Sequence, residues 1–175
     1  MRFLELAKKR YSSRNYEERT VEEEKIMQIL EAGKVAPTAK NLQPYKTYVF
    51  QKKENLEKIA DVVRFYGAPL LFVVCKDTEQ TWKRPFDDKD HGDVDAAIVT
   101  DHMMLEATEQ GLQSVWICYY DAKKLASLLK LPSHIVPVNV LAVGYAVDDP
   151  KAENRHDEMR KKLEETVVFD ADLEL

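Results

Sequence analysis

The chain has 175 residues, of which 45% are hydrophobic and 33% are charged, and its formal net charge at pH 7 is -5. This length is typical of a single domain that buries its own core without disulfides or metals. The negative charge argues against a broad nucleic-acid surface, which needs clustered Lys and Arg. No apolar run approaches the roughly 20 residues that cross a bilayer, and no secretory signal is evident. We expect a cytoplasmic protein with one domain over residues 1–175.

The first part of the chain has the pattern of two helices. Residues 3–10 have the spacing of a short amphipathic helix. Thr20 followed three residues later by Glu23 predicts a capping box that starts a second helix, extending to residue 36. Four residues of that second helix share one face at the helical period and should pack on the core: Ile26, Ile29, Leu30 and Gly33.

The next part alternates loops, strands and one helix. A loop rich in turn residues precedes a strand with alternating exposure at residues 45–50, and residues 54–63 are a further helix. The continuous apolar run at residues 70–75 is typical of a strand buried on both faces. The polar, aromatic-bearing stretch from Lys76 to Gly92 is a candidate lid, although an exposed loop with incidental aromatics fits it equally well.

A long, mostly apolar helix is predicted from Asp93 to Gln110, and it should be the central core helix. A strand at residues 113–119, a helix capped by Asp121 at residues 122–130 and a strand at residues 136–145 follow. The order of elements is therefore a mixture of helices and strands.

The last thirty residues, 146–175, are strongly charged apart from an apolar patch at residues 166–169. An isolated apolar patch on a charged segment suggests an arm that reaches a partner chain. A tail that folds back on its own sheet is nearly as consistent with the pattern.

Two arginines and two serines lie together within residues 10–14, just after the first helix. Guanidinium groups donate paired hydrogen bonds to phosphate oxygens, and hydroxyls and loop amides complete such a site. The cluster is therefore a candidate phosphate site. The alternative is a solvated turn in which Arg14 pairs with Glu17 or Glu18.

Cysteine and histidine patterns predict no metal site. Cys75 and Cys118 each lie in an apolar, strand-like stretch, where a reduced thiol is commoner than a disulfide or a ligand. The histidines are dispersed and none has metal-ligand spacing with a cysteine or another histidine. They are His91, His102, His134 and His156.

Two motifs at a characteristic spacing carry a family resemblance: RYSSR at residues 10–14 and APTAKNLQPY at residues 36–45. The chain resembles the nitroreductase family, whose members carry an Arg-(Arg/His)-Ser-x-(Arg/Lys) element and then an A-P-S-x-x-N-x-Q-P-(Trp/Tyr) loop. Further pieces follow in the family order: Ala68-Pro69, the helix beginning near Asp95, Gly111-Leu112, Trp116-Ile117, the turn at residues 128–132 and Gly144-Tyr145.

The resemblance implies an α+β fold with a central, mostly antiparallel sheet flanked by helices. It further implies an intertwined homodimer that pairs through its long helices and binds FMN at the subunit interface. Residues that match the family's phosphate site are Arg10, Tyr11 through its backbone, Ser12, Arg14 and Arg155.

The resemblance also implies which residues surround the flavin ring. The loop donated by the other subunit would pack on the ring with Pro37, Thr38 and Ala39, and its side chains Asn41 and Gln43 would bond the flavin edge. Three residues at a strand end would line the flavin from its own subunit: Trp116, Ile117 and Cys118.

The sequence departs from the family pattern at three positions. Tyr11 replaces the usual second basic residue, and Glu153 stands where some members have a lysine two residues before Arg155. These changes leave less positive charge around a phosphate. Lys40 replaces a small residue in the loop and is expected to point to solvent.

The implied activity is that of an FMN-dependent oxidoreductase. It would transfer hydride from NADH or NADPH, via the flavin, to a small electrophile such as a nitroaromatic or a quinone. The lack of a G-x-G-x-x-G element agrees with nicotinamide as a transient substrate. Because the cofactor supplies the redox chemistry, no acid or base residue is expected. A flavin-binding protein without reductase activity and a flavin-free dimeric interaction protein stay open as alternatives.

Overall fold

The computed structural model describes residues 2–171. Within them the helices are α1 (Phe3–Lys9), α2 (Glu23–Lys34), α3 (Lys53–Ala60), α4 (Gly92–Glu109), α5 (Ala122–Leu128) and α6 (Arg155–Glu158). The strands are β1 (Tyr45–Phe50), β2 (Leu70–Asp77), β3 (Gln113–Ile117) and β4 (Ile135–Gly144). No helix in this part of the chain has the length and apolarity needed to cross a membrane.

The strands form one sheet in the order β1-β2-β4-β3, and each neighbouring pair is antiparallel. The predicted α+β class, with a mostly antiparallel sheet flanked by helices, is confirmed. The N-terminal segment extends one edge, because Ser12 forms a parallel bridge with Ser114 of β3. The Ser13 N–H also donates to the Ser114 carbonyl oxygen at 3.1 Å.

Strand β2 is buried on both faces, as its continuous apolar run predicts. Alternate residues enter two separate cores. Leu71 and Val73 pack in the core that contains Ile59 of α3 and Leu125 of α5. Phe72 lies in the other core, which is built with α2 and α4. The sheet therefore lies between two helical layers.

Helices α2 and α4 approach each other closely at Gly33. A Cβ at that position would lie 2.9 Å from the Met103 Cγ atom and 3.4 Å from Val99. One side of α4 is thus held against α2 and the sheet, with Val99 and Met103 buried. The opposite side carries half-buried and exposed residues, including Val94 and Ile98.

The capping box predicted at Thr20 is wrong, since α2 begins at Glu23 with Glu22 as the N-cap residue. Glu22 keeps an extended backbone, and its carboxylate accepts a hydrogen bond from the Tyr145 hydroxyl at 2.6 Å. That hydrogen bond is the main reason why the pKa of Glu22 is lowered to about 2. The N-cap residue of α2 is therefore tied to the residue that follows β4.

The apolar patch at residues 166–169 forms no strand, and all four residues are exposed. The sheet of residues 2–171 has no partner strand from this segment, so the tail does not fold back on its own sheet. Residues 172–175 of the expected arm lie outside the described residues.

Candidate functional site

The segment from Arg10 to Arg14 is extended and lies along the edge of the sheet. Its side chains alternate, because Tyr11 and Ser13 are buried whereas Arg10, Ser12 and Arg14 are half-buried or exposed. The Tyr11 hydroxyl donates to the Asp148 carbonyl oxygen at 3.2 Å, and the Ser13 hydroxyl donates to the Asp148 carboxylate at 2.9 Å. The two arginines and Ser12 therefore share the opposite side of the segment.

Three arginines come together near this segment: Arg10, Arg155 and Arg160, called here the arginine cluster. One Nη2 atom of Arg155 donates to the carbonyl oxygens of Lys8 and Arg10, both at 2.8 Å. Burial lowers the pKa of Arg10, and the charges of Arg155 and Arg160 lower it further, while Asp101 of α4 acts in the opposite direction. Like charges held together in a partly desolvated place fit an anionic ligand.

The Arg14 side chain contacts an aromatic ring and is not part of the arginine cluster. Its guanidinium lies 5.7 Å from the centre of the Tyr66 ring, which Arg64 also approaches at 5.2 Å. One of its nitrogens lies 3.4 Å from the Ser12 carbonyl oxygen. No ion pair joins Arg14 to Glu17 or Glu18 in residues 2–171, so the solvated-turn alternative is not what the structure contains.

The loop of residues 36–45 contains three residues with left-handed backbone: Lys40, Asn41 and Gln43, with φ values of 52°, 55° and 53°. Such φ values are uncommon for residues other than glycine and asparagine. The Thr38 hydroxyl holds the turn by accepting from the Gln43 N–H at 3.0 Å. Pro37, Lys40, Asn41 and Gln43 are exposed, while Thr38 and Ala39 are half-buried. The loop therefore presents most of its side chains outward.

Asp95 in the first turn of α4 anchors this loop, and the sequence reasoning missed it. Its Oδ1 atom accepts the Ala39 N–H at 2.9 Å. The residue is 2% exposed, and Oδ2 has no hydrogen-bond partner within residues 2–171. A carboxylate on the buried face of an otherwise apolar helix was the available signal, because acidic residues are almost never fully buried without a partner.

An open groove runs along the outer side of α4, with a cavity volume of about 540 Å³. Apolar residues form most of its surface, and Asp93 and Asp101 are its acidic members. Its apolar members are Val94, Ala97, Ile98 and Trp116. Since Asp101 also influences Arg10, the groove adjoins the arginine cluster. An apolar surface beside a cationic one suits a flat ligand with an anionic tail.

Trp116 is held in the groove by a chain of hydrogen bonds through the sheet. Its Nε1–H donates to the Asn139 Oδ1 atom at 2.9 Å. The Asn139 amide donates to the Thr100 hydroxyl at 3.1 Å, and that hydroxyl donates to the Ala96 carbonyl oxygen at 2.7 Å. Asn139 is 4% exposed and was not predicted as a site residue. These bonds fix the indole relative to α4.

The other two predicted residues at the end of β3 differ in their surroundings. Ile117 is buried in the core with α3 and α5, so only its backbone is open to a ligand. Cys118 is exposed, and its thiol lies 3.8 Å from the Asn139 Oδ1 atom. Cys75, in contrast, is buried, and burial raises its pKa to about 12, which fits the predicted structural thiol.

The candidate lid, residues 76–92, runs from the end of β2 to the start of α4 and has an ordered structure of its own. Lys83 and Asp90 form an antiparallel bridge, and the Trp82 and His91 rings lie 4.9 Å apart. At its base the Lys76 ammonium contacts Asp90 at 3.4 Å and Asp93 at 3.0 Å. Phe86 at its tip is 94% exposed.

Comparison with known proteins agrees with this architecture. The sequence model of the nitroreductase family matches residues 7–64 and 61–145. A Methanothermobacter thermautotrophicus protein, provisionally named an NADH dehydrogenase/NAD(P)H nitroreductase, is 32% identical over 94% of this chain and 87% of its own length.

Solved structures agree as well. A nitroreductase family protein from Clostridium difficile 630 is 45% identical, with a TM-score of 0.95 over 98% of this chain and 99% of its own. An FMN-dependent nitroreductase from Clostridium difficile R20291 is 30% identical, with a TM-score of 0.82 over 97% of this chain and 99% of its own.

The fold and the site define an α+β protein with an arginine cluster at a sheet edge and an apolar groove beside it. The chain belongs to the nitroreductase family. The family resemblance carried by the motifs at residues 10–14 and 36–45 is thereby confirmed.

Replacing Asp95 should loosen the loop that it anchors. In Asp95→Ala the Ala39 amide loses its acceptor, so we expect it to exchange with solvent at least about tenfold faster, because hydrogen bonds to charged groups contribute about 1.5–3 kcal/mol. Amide hydrogen exchange measures this. Asp95→Asn keeps an acceptor, and Asp93→Ala alters an exposed neighbour, so both should retain protection. Unchanged exchange in Asp95→Ala would show that the loop does not need this carboxylate.

Proposed function

We propose that this protein is an FMN-dependent oxidoreductase that takes reducing equivalents from NADH or NADPH and reduces a small electrophile. The arginine cluster beside an apolar groove is the observation that carries the proposal. The names of relatives support it, since one is called an FMN-dependent nitroreductase and another an NADH dehydrogenase/NAD(P)H nitroreductase.

The phosphate of FMN would bind at the edge segment. Arg10 and Arg155 supply positive charge, and Ser12 lies on the same side of the segment as Arg10. Tyr11 has its side chain in the interior, so its contribution would come from the backbone. The Arg14 side chain would have to leave the Tyr66 ring to reach the phosphate. It can do so because Arg14 is exposed and its present contacts are weak.

The flavin ring would lie at the groove on α4 with Trp116 on its surface. Cys118 and the Ile117 backbone would border the ring from the same subunit. The loop of residues 36–45 would come from the partner subunit and pack on the ring. Its proposed contacts are Pro37, Thr38, Ala39, Asn41 and Gln43, three of which are exposed in the single chain.

When bound, FMN would supply the redox chemistry of hydride transfer between the nicotinamide and the acceptor. The protein residues have other tasks. The Asn139 and Thr100 hydrogen bonds keep the Trp116 ring in place, and Asp95 keeps the partner-facing loop in its strained conformation. The site needs no acid or base residue of its own.

The lid segment would select the acceptor. Trp82 and Phe86 offer aromatic surfaces and Lys83 offers an exposed positive charge, which suits an aromatic acceptor with electron-withdrawing groups, such as a nitroaromatic or a quinone. The Arg84 guanidinium is already paired with the Asp87 carboxylate. The base of the segment is fixed through Lys76 and Asp90 whereas its tip is exposed. Motion of the tip would therefore leave the sheet unchanged.

The proposal is tested first by the colour of the purified protein. With FMN added, anaerobic NADH or NADPH should bleach the flavin absorbance within seconds to minutes, and a nitroaromatic or quinone should restore it. Free FMN with the same nucleotide is the control. A protein that binds FMN without bleaching would be a non-reductase flavoprotein. A colourless protein that FMN does not stabilise would be a flavin-free interaction protein.

Loss of Arg10 should weaken FMN binding. We expect Arg10→Ala to raise the Kd for FMN about 10- to 100-fold, because a charge-assisted hydrogen bond contributes about 1.5–3 kcal/mol. Fluorescence titration of FMN measures the Kd. Lys9→Ala removes an exposed positive charge next to it and should change the Kd by less than about threefold. Equal effects of the two variants would indicate general charge attraction rather than a phosphate site.

We further propose that residues 146–175 form an arm of the single domain that packs on the partner subunit of a homodimer. Several large apolar side chains on the arm are exposed, and Phe3 and Leu4 on α1 are exposed too. On the arm they are Val147, Met159, Leu163, Val167, Val168 and Phe169. Exposed apolar groups of this number on one segment are typical of a protein interface.

Charges placed on the arm should separate the subunits. The triple variant Leu163→Glu, Val168→Glu and Phe169→Glu should sediment as a monomer at low micromolar concentration, where we expect the wild type to sediment as a dimer. Sedimentation equilibrium gives both masses. A matched variant, Lys161→Glu with Lys162→Glu, adds charge to the same segment without removing apolar surface and should stay dimeric. A triple variant that stays dimeric would contradict the arm's role.

A further inference from the structure

Three potential metal ligands meet where β2 ends and β4 begins. Asp77 is the last residue of β2, Glu79 follows in the next turn, and His134 directly precedes β4. One ligand atom from each side chain lies within 4.8 Å of the other two. The spacing of residues along the chain does not indicate this group, because its histidine is separated from the carboxylates by more than fifty residues.

We propose that Asp77, Glu79 and His134 bind one divalent transition-metal ion per chain. Two carboxylates and one imidazole form a mixed oxygen and nitrogen ligand set. Imidazole favours Zn²⁺, Co²⁺, Ni²⁺ or Cu²⁺ over Mg²⁺ and Ca²⁺, which prefer oxygen ligands alone. The negative charge of the two carboxylates would balance the charge of the ion.

The sheet holds the backbone of these residues in place without help from a metal. Asp77 and Ile135 are register partners in the β2–β4 pair. The Thr78 N–H and hydroxyl both donate to the His134 carbonyl oxygen, at 2.9 Å and 3.2 Å. The Asp77 N–H donates to the Pro44 carbonyl oxygen at 2.9 Å. Backbone hydrogen bonds therefore fix the positions of the ligand residues before any metal binds.

Two of the three side chains are available for a ligand. Neither the His134 ring nor the Glu79 carboxylate has a hydrogen bond or an ion pair within the described part of the chain. The Asp77 carboxylate accepts from the Glu79 N–H at 3.1 Å and from the Gln80 amide at 2.6 Å, and each oxygen has a further lone pair.

Only small side-chain movements are needed to close the site. Three atoms 4.8 Å apart surround a centre about 2.8 Å away, whereas Zn²⁺ binds nitrogen and carboxylate oxygen at about 2.0–2.2 Å. Each ligand atom would move by less than about 1 Å. A cavity of about 230 Å³, lined by Asp77 and His134 among others, leaves room for water to complete the coordination.

The ion would connect two parts of the fold beside a third. Asp77 and Glu79 lie at the start of the lid segment, and His134 leads into the central strand β4. Gln43 and Tyr45, at the end of the loop of residues 36–45, line the same cavity. Binding would therefore stabilise the folded protein by joining the β2 turn to β4 beside that loop. This role is independent of the proposed flavin chemistry.

The test is a calorimetric titration of Zn²⁺ into the full-length protein, without an affinity tag and in a buffer that does not bind metals. We expect one Zn²⁺ per chain and a Tm that rises with Zn²⁺ until it saturates. His134→Gln and Glu79→Gln should each weaken this binding at least about tenfold, because even changes outside the ligand shell cost about 10- to 100-fold in affinity. Neither side chain has a partner to lose, so both variants should fold.

His102→Gln is the matched control, since it removes a histidine from α4 and should leave the binding unchanged. Mg²⁺ at the same concentrations should neither bind nor raise the Tm. Zn²⁺ binding of equal strength in His134→Gln and Glu79→Gln would assign the ion to other groups, such as Cys118 or a bound phosphate, and would overturn the proposal. Failure of the wild type to bind Zn²⁺ would also overturn it. Neither result bears on flavin reduction, which is read from the absorbance of FMN.

Discussion

The burial of β2 on both faces is the constraint on which the rest of the structure depends. Because consecutive residues of this strand must all be covered, the sheet needs helices on each side. On one side that cover is α2 and α4, packed so closely at Gly33 that a Cβ there would lie 2.9 Å from the Met103 Cγ atom. The outer side of α4 is left facing away from the core, and it carries the groove. The position of the candidate site thus follows from how the core is closed.

The edge of the sheet supplies the other half of the site. β3 is an edge strand, and the segment around Ser12 covers part of that edge through a single parallel bridge, which includes the hydrogen bond from the Ser13 N–H to the Ser114 carbonyl oxygen. An extended segment alternates its side chains, so anchoring Tyr11 and Ser13 inward turns Arg10 and Ser12 outward. The same alternation in β3 places Ile117 in the core and Trp116 at the groove. The segment of residues 10–14 therefore brings cationic side chains beside β3, which brings the aromatic Trp116.

The sequence predicted the elements well because their patterns are local. The apolar run at residues 70–75 and the apolar helix ending before Gly111 depend only on their own composition. The start of α2 was predicted two residues too early, and its N-cap residue Glu22 bonds Tyr145, which is more than one hundred residues away in the chain. Asp95, Asn139 and the group around His134 were missed for the same reason: each acts through a partner that only the fold brings close. The motif at residues 10–14 was found because its residues are adjacent in the chain.

The charge distribution explains why an anion should matter to this protein. The chain is acidic overall, yet Arg10 and Arg155 are held together by hydrogen bonds to backbone carbonyls rather than by paired carboxylates. Asp101 offsets this charge only from a distance, since no ion pair joins it to Arg10 in residues 2–171. Burial and like charge both oppose the protonated form of Arg10, and guanidinium groups do not give up their proton in proteins. The repulsion is therefore retained in the chain as it stands, and the approach of a dianion such as a phosphate would relieve it and so favour binding at that end of the site.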